Sequence, residues 1–208
     1  MNERGMIFNG EMVRAILEGR KTQTRRPIKW KQTRFTEIGE REDGSNWPWS
    51  EDTEKVCDYW HPCPFGAVGD RIWVRETFGW QIRRDPLGGT GEFRVYRATT
   101  PDAVRYQTAS GEAAPMKWVP SIHMPRRASR ITLEITDVRV ERVRDITEDD
   151  AQAEGVRPAC YEITPPEAAY RVSFGEVWRN IYGEKSWDVN SWCWVIEFRR
   201  LQNEYSNS

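Results

Sequence analysis

Apolar and polar positions recur along this chain in patterns that predict both helices and strands. Near the start, apolar residues recur at helical spacing between Asn9 and Gly19, at Met12, Val13, Ile16 and Leu17. Asparagine is a favoured first cap of a helix, and glycine readily adopts the left-handed conformation that ends one. We therefore expect an amphipathic helix between Asn9 and Gly19, preceded by a short strand at 6–8.

Period-two alternation predicts strands in the middle of the chain. Gly69-Asp70 has the composition of a turn and precedes a strand over 71–78, in which Glu76 falls on the apolar face. Segments 80–84 and 92–98 flank a glycine-rich turn, which predicts a hairpin. We expect Glu76 either to pair with a buried cation, such as an arginine of the basic run described below, or to line a pocket.

Two further strand signals lie towards the C-terminus. Segments 131–135 and 138–140 alternate out of step, which predicts a bulge near 136–137 in one long strand. Residues 192–198 are dense in aromatic and branched side chains, which is typical of a central strand.

Two helix starts are predicted in the same half of the chain. Thr147 and Asp150 have the spacing of a capping box and predict a short helix ending at Gly155. Segment 164–167 combines a threonine cap, a proline and a glutamate, and predicts a helix ending at Gly183. The second helix should bury a mostly apolar set of side chains: Ala169, Val172, Val177, Trp178 and Ile181.

Segments 36–65 and 99–115 lack periodicity, and we expect both to be loop insertions. The first is acidic and should fold onto the body through its aromatic residues. Strands far apart in sequence, each with one apolar face, predict a small mixed β-barrel flanked by short helices, in the α+β class. We expect one domain over 1–208.

The composition of the chain limits which classes of function are compatible with it. The formal net charge is −1, so nucleic-acid binding would require a local basic patch. No apolar run approaches the roughly 20 residues that span a bilayer, and no signal-peptide core is visible, so we expect a cytoplasmic protein. We expect no cofactor and no metal; Cys57, His61 and Cys63 are a weak alternative set of zinc ligands.

A basic run follows the first helix. Residues 19–35 contain seven lysines and arginines and no acidic residue. A one-sided local charge of this kind attracts phosphate or another anion. The alternative is a solvated basic loop that balances the acidic segment after it. A second basic cluster comprises Arg126, Arg127 and Arg130.

Several of these segments resemble the ASCH family, a branch of the PUA-like β-barrels. The residues concerned are Gly19-Arg20-Lys21-Thr22-x-Thr24-x-Arg26, Gly69-Asp70 and the closing Val195-Ile196-Glu197-Phe198. Segments 73–77 and 120–125 and the tryptophan-rich C-terminus are similar, more narrowly, to ASCH proteins carried by tailed phages and prophages. This narrower resemblance implies that the protein works in the cytoplasm of a bacterial host cell.

The resemblance implies binding of RNA or a modified nucleoside beside the first helix. Small bacterial members hydrolyse N4-acetylcytidine, and their motif implies Lys21, Thr24 and Glu154 as catalytic residues here. The candidate substrate contacts are mostly basic: Arg20, Thr22, Arg25, Arg26, Arg75, Glu76, Arg126 and Arg127.

The chemistry is consistent with these residue types. Neighbouring arginines should lower the pKa of Lys21, so that its amine can deprotonate Thr24 or a water, while Arg26 or backbone donors stabilise the oxyanion. The alternative is that none of these residues is catalytic. In that case Lys21 binds a phosphate, the Thr24 hydroxyl stabilises a turn, and His123 only packs against neighbouring side chains.

Three functions remain open from the sequence. The first is an enzyme that hydrolyses an acylated base or cleaves RNA. The second is a non-catalytic reader of RNA or a modified base. The third is a phage accessory protein that binds a host protein through Trp47, Trp49 and Trp60.

Overall fold

A computed structural model describes residues 1–29, 37–52, 57–84, 89–108, 110–161 and 165–202. Within them the chain forms three α-helices: α1 (Gly10–Leu17), α2 (Glu148–Ala153) and α3 (Ala169–Tyr182). It also forms twelve strands: β1 (Glu3–Ile7), β2 (Gln23–Pro27), β3 (Glu37–Glu40), β4 (Asn46–Asp52), β5 (Cys57–Trp60), β6 (Arg71–Arg75), β7 (Phe78–Arg84), β8 (Thr90–Tyr96), β9 (Val104–Gln107), β10 (Ala113–Pro115), β11 (Thr132–Arg142) and β12 (Trp192–Leu201).

A five-stranded mixed sheet organises the molecule, in the order β1, β6, β11, β12, β2. Strand β1 runs parallel to β6, and the other neighbours are antiparallel. The register of β11 against β12 shifts between Ile135 and Asp137, which confirms the predicted bulge. Strand β12 lies between β11 and β2, so its predicted central position is also confirmed.

The main core lies on one face of this sheet. Ile72, Leu133 and Ile196 are fully buried there with Val13 and Ile16 of α1. The edge strands β1 and β2 are linked by Arg26, whose Nη2 donates to the Ile7 carbonyl at 2.7 Å. Its guanidinium also lies 5.3 Å from the centre of the Phe8 ring. The α+β class is confirmed, because the described residues combine three helices of 8, 6 and 14 residues with a larger number of strands.

The predicted helix boundaries are largely confirmed. The Asn9 side chain accepts a hydrogen bond from the Met12 amide at 2.8 Å, and Gly19 has a φ of +77°. Thr147 and Asp150 form both bonds of a capping box. Helix α3 ends at Gly183 as predicted, but it begins at Ala169, after a 3-10 turn over Pro166–Ala168, and not directly after 164 as predicted. The predicted cap, Thr164, lies outside the described residues.

The acidic segment after the basic run is not the loop that its sequence predicts. Strands β3, β4 and β5 form an antiparallel sheet, in which Trp49 pairs with Trp60. Aromatic residues favour strands, and here they pair across neighbouring strands. The expected aromatic packing is confirmed, because the Trp47 ring lies edge-on to Trp194 with centroids 5.0 Å apart. The expected loop placement of Trp47, Trp49 and Trp60 is wrong, because all three lie in strands and are half-buried.

Two other predictions need correction. The strand predicted over 71–78 is broken after Arg75, because the chain leaves the main sheet there and begins the hairpin of β7 and β8. The segment 99–115 contains the paired strands β9 and β10 rather than only loop.

Glu76, at the break in that predicted strand, is buried and forms a two-pronged ion pair with Arg130. The nitrogen–oxygen distances are 2.9 and 3.0 Å. Pairing with a cation is therefore confirmed, but the cation comes from the second basic cluster.

None of the helices in the described ranges combines the length and the apolar character that crossing a bilayer requires.

Candidate functional site

A cleft of about 610 Å³ opens between α1, β2, the C-terminal end of α2 and α3. Thr24, Arg25 and Arg26 of β2 line one side, and Glu154 lies at the end of α2. The wall from α3 is largely apolar and aromatic. It is formed by Phe174, Val177, Trp178, Ile181 and Tyr182, together with the polar Ser173 and Glu176. The cleft therefore combines an aromatic wall with ionisable groups on the opposite side.

Lys21 and Glu154 form a buried ion pair next to this cleft. Lys21 Nζ lies 2.6 Å from Glu154 Oε2 and 2.9 Å from the Glu154 carbonyl oxygen. The second carboxylate oxygen, Oε1, accepts the Arg25 backbone N–H at 2.6 Å. The Lys21 side chain is 0% exposed and that of Glu154 is 4% exposed. Glu154 thus faces the cleft while Lys21 supports it from behind.

Burial changes the acid–base character of the lysine. It lowers the pKa of Lys21 by disfavouring the ammonium form; Glu154 opposes this shift, and the charges of Arg26 and Arg25 add to it. The sequence prediction gave the right direction but relied on the arginines, whose effect is smaller than that of burial. A lysine with a lowered pKa exchanges protons more readily near neutral pH.

Backbone geometry explains why the lysine meets this glutamate. Gly155 follows Glu154 with a φ of +82°, which glycine adopts without a steric penalty. A Cβ built on Gly155 would lie 2.7 Å from Lys21 Cβ and 2.9 Å from Ala15 Cβ. Glycine at this position therefore permits the close approach of α2, α1 and the start of β2.

A network of carboxylates supports the arginine at the base of the site. Arg25 Nη2 lies 2.7 Å from Glu141 and 3.2 Å from Asp150. Arg139 binds Asp150 at 2.9 Å and Glu141 at 2.6 Å. Burial alone would raise the pKa of Asp150, but the charges of Arg25 and Arg139 and the bonds to Thr147 lower it. The network attaches α2 to the main sheet.

The aromatic wall carries potential donors and stacking surfaces. The rings of Trp178 and Tyr182 have centroids 4.4 Å apart, and Tyr182 is 37% exposed. The Trp178 indole N–H is buried and has no hydrogen-bond partner in the part of the chain that is described. Burial raises the pKa of Tyr182, with Arg26 partly offsetting the effect. This wall suits a flat, mostly apolar ligand with a polar edge.

The structure brings together the three catalytic candidates and part of the predicted contact set. Thr24 and Glu154 line the cleft and Lys21 contacts Glu154. Of the predicted contacts, Arg20, Arg25 and Arg26 also line it.

The remaining predicted contacts do not line this cleft. Thr22 is exposed, and its backbone bonds to Ala153 and Phe198. Arg75 donates to the carbonyl oxygens of Ser121 and Ile122, and Glu76 pairs with Arg130. Arg126 pairs with Glu3 and Arg127 is exposed.

The prediction of an exposed basic run is wrong for its central residues. Lys21 and Arg25 have 0% side-chain exposure and are paired with carboxylates from α2 and β11. Their positive charge is compensated locally, so they do not present an open phosphate site. Lys31 and Arg34 lie outside the described residues.

The remaining candidates from the sequence have other roles. His61 Nε2 lies 2.9 Å from Ser50 Oγ, and burial raises the pKa of the Cys63 thiol to about 11, which disfavours the thiolate that zinc requires. The Cys57 side chain lies outside the described part of the chain. His123 is exposed, so its predicted packing role is wrong, and its neighbour Met124 is the buried residue.

Sequence reasoning did not identify the aromatic wall as part of the site. It predicted a buried apolar face on α3, but Ile181 is 45% exposed and lines the cleft. The available signal was the spacing of Phe174, Trp178 and Tyr182 at intervals of four residues, which places three aromatic rings on one helix face.

Comparisons with known proteins give one distant structural likeness. No protein-family model and no curated protein sequence matches this chain. Among solved structures, the ASCH domain from Lactobacillus crispatus JV V101 is similar, at 12% identity and a TM-score of 0.41, over 96% of this chain and 79% of that one. This is the family that the sequence motifs resemble. A likeness at this identity and TM-score assigns neither a fold family nor an activity to this chain.

Proposed function

We propose that the cleft binds a nucleoside with a modified base, and that Lys21, Thr24 and Glu154 hydrolyse an N-acyl amide on a cytosine, as in N4-acetylcytidine. The observation that carries the proposal is the buried Lys21–Glu154 pair, at 2.6 Å, next to an aromatic-walled cleft that Thr24 and Glu154 line. The resemblance of the sequence motif to ASCH enzymes supplies the substrate class.

The size and lining of the cleft support this ligand. A volume of about 610 Å³ is within the range of small-molecule sites. Nucleobases stack on aromatic rings and use their edges for hydrogen bonds, and the wall offers the partly exposed ring of Tyr182 for stacking. The arginines at the base of the cleft have protein partners, which suits an uncharged base better than a phosphate in that position.

The ion pair can supply both proton transfers of the first half-reaction. Within the pair, a proton can move between Lys21 Nζ and Glu154 Oε2, which gives a neutral amine and a carboxylic acid. The amine accepts the proton of Thr24 as its oxygen bonds to the acyl carbon. The acid protonates the base nitrogen as the amide carbon–nitrogen bond breaks. Cytidine leaves, and Thr24 carries the acyl group as an ester.

The second half-reaction restores the starting state. The Glu154 carboxylate accepts a proton from water as the water oxygen bonds to the ester carbon. The Lys21 ammonium returns its proton to the Thr24 oxygen as the ester bond breaks. Acetic acid is released and loses its proton to the solvent, and the proton on Glu154 returns to Lys21, which restores the ion pair. No oxidant, metal or cofactor enters this balance.

The test is to incubate the protein with N4-acetylcytidine and to measure the release of acetate and cytidine by chromatography. We expect the unaltered protein to turn over, and Glu154→Gln to lower kcat by about 100-fold or more because a carboxamide cannot shuttle the proton. Asp149→Asn, which changes an exposed carboxylate of the same helix, is the matched control and should retain turnover. Absence of turnover by the unaltered protein would exclude the hydrolase.

A non-catalytic reader is the second candidate, and one observation favours it. Lys21 Nζ is already bonded to two oxygens of Glu154, and its side chain is 0% exposed. In a reader, the ion pair only maintains the shape of the cleft. Saturable binding of N4-acetylcytidine without release of acetate would support this function over hydrolysis.

A further inference from the structure

Tyr182 brings a phenolic hydroxyl to the cleft from the last turn of α3. Its ring lies against the buried Trp178, with the two centroids 4.4 Å apart and the planes inclined at 46°. Trp178 is 3% exposed and Tyr182 is 37% exposed, so the inner ring supports the outer one and leaves it accessible. The proton transfers described above make no use of this hydroxyl.

On the opposite side of the cleft, Thr24 and Arg26 lie on the same face of β2. They pair with Ile196 and Trp194 of β12, and alternate residues of a strand face the same side of a sheet. The Arg26 guanidinium is held in place by the bond from its Nη2 to the Ile7 carbonyl. Its Nε is buried and has no partner among the described residues. Arg26 therefore has an unused N–H on the face of β2 that carries the proposed nucleophile.

The Tyr182 hydroxyl is close enough to Arg26 and Glu154 to interact with both. Burial raises the pKa of Tyr182, and the charge of Arg26 and a hydrogen bond with it oppose that shift. Cys193 and Glu154 add smaller increases to the same pKa. Neighbouring charges act in this way over short distances, so the hydroxyl points towards the β2 side of the cleft. Because its pKa lies above the ordinary value of 10.0, the hydroxyl keeps its proton at neutral pH and can donate a hydrogen bond.

From this arrangement we propose that Tyr182 is a further catalytic residue, whose hydroxyl donates a hydrogen bond to the acyl oxygen of the substrate, next to Arg26. This role rests on the proposed function, because it concerns the same amide. The sequence predicted only Arg26 or backbone donors for this oxygen. Tyr182 adds a donor from the opposite wall, so the oxygen is held from both sides of the cleft.

The contact strengthens as the reaction proceeds. In the intact amide, the acyl oxygen lies in the plane of the base. As the Thr24 oxygen bonds to the acyl carbon, that carbon becomes tetrahedral, and the electron pair of the carbon–oxygen double bond moves onto the acyl oxygen, which leaves the plane. The double bond forms again when the carbon–nitrogen bond breaks, and Tyr182 keeps its proton throughout. A donor that binds the charged oxygen better than the neutral one raises kcat rather than lowering KM.

Steady-state hydrolysis of N4-acetylcytidine by Tyr182→Phe tests this role. Phenylalanine keeps a ring against Trp178 and removes only the hydroxyl, so we expect kcat to fall by about 100-fold with little change in KM. Tyr170→Phe is the matched control, because it removes a hydroxyl from the same helix at a residue outside the cleft lining. It should retain the rate of the unaltered protein.

A sulfur analogue separates the loss of this hydrogen bond from a change in shape or folding. Sulfur is a weak hydrogen-bond acceptor, so the donor should favour N4-acetylcytidine over N4-thioacetylcytidine. We expect the ratio of the oxygen rate to the sulfur rate to be about tenfold smaller for Tyr182→Phe than for the unaltered protein. The intrinsic reactivity of the two substrates and the fraction of active protein both cancel in this comparison.

The role of Tyr182 would be overturned if Tyr182→Phe kept the kcat of the unaltered protein, or if Tyr170→Phe lost as much. An equal oxygen-to-sulfur ratio in Tyr182→Phe and the unaltered protein would also overturn it. In each of these cases the unaltered protein still releases acetate, so the proposed hydrolysis stands. No release by the unaltered protein would overturn the hydrolysis and the role of Tyr182 together, which distinguishes the two failures.

Discussion

Lys21 Nζ and Glu154 Oε2 lie 2.6 Å apart in the interior, although 133 residues separate them in sequence. Removing one partner of such a pair leaves the other as an uncompensated buried charge. We therefore expect Lys21→Met to lower the free energy of unfolding by about 3–5 kcal/mol. Urea unfolding, monitored by tryptophan fluorescence, measures this loss.

The double variant Lys21→Met with Glu154→Leu supplies the control for that prediction. It removes both charges, so we expect it to be more stable than Lys21→Met alone. A double variant that loses as much stability as the two single variants combined would show that the pair is not energetically coupled.

Gly155 provides a second test of how the site is assembled. Alanine there combines a strained φ of +82° with a Cβ only 2.7 Å from Lys21 Cβ. We expect Gly155→Ala to cost about 2–4 kcal/mol of unfolding free energy, as the sum of strain and overpacking. Gly69→Ala is the control, since Gly69 has a φ of +86° with no heavy atom within 4 Å of the added Cβ. If Gly155→Ala and Gly69→Ala lost equal amounts of stability in thermal or urea unfolding, the close approach of Gly155 to Lys21 would be refuted.

The arginine–carboxylate network predicts a pH dependence of stability. The pKa of Asp150 is lowered from its ordinary 3.8, so its contribution is complete above that value and is lost as the pH falls through the folded-state pKa. We expect Asp150→Asn to lose about 1–2 kcal/mol at neutral pH, with the difference from the unaltered protein shrinking in acid.

Asp149, the exposed neighbour of Asp150 in α2, is the control for this pH dependence. Asp149→Asn should show a smaller loss, since Asp149 lies outside the network with Arg25 and Arg139. Urea unfolding at a series of pH values measures both variants. A stability difference for Asp150→Asn that stays constant from neutral to strongly acidic pH would contradict the lowered pKa.

Local patterns in the sequence predicted the elements that depend on neighbouring residues. The Asn9 cap, the Thr147 capping box and the bulge after Ile135 each follow from side chains a few positions apart. Strand pairing among the aromatics of 37–60 was missed because alternation there is interrupted by glycine, proline and acidic residues. Pairing between strands, rather than local period, determines that sheet.

The candidate site was predicted only in part, because some of its contacts also join residues that are distant in sequence. The motif containing Lys21 and Thr24 is local, but the carboxylates that neutralise Lys21 and Arg25 come from residues 141–154. From the sequence alone, a run of lysines and arginines looks exposed when the carboxylates that pair with it are distant along the chain. The burial of Lys21, and with it the main cause of its lowered pKa, becomes visible only in three dimensions.

Hydrolysis of N4-acetylcytidine by the Thr24→Val variant tests the central claim most directly, with release of acetate as the readout. Valine keeps the shape of the side chain and removes the hydroxyl, so we expect release to fall by about 100-fold or more relative to the unaltered protein. Thr22→Val, which removes an exposed hydroxyl on the same segment outside the cleft, should retain it. Equal rates for Thr24→Val and the unaltered protein, or no release by the unaltered protein, would contradict the proposed chemistry.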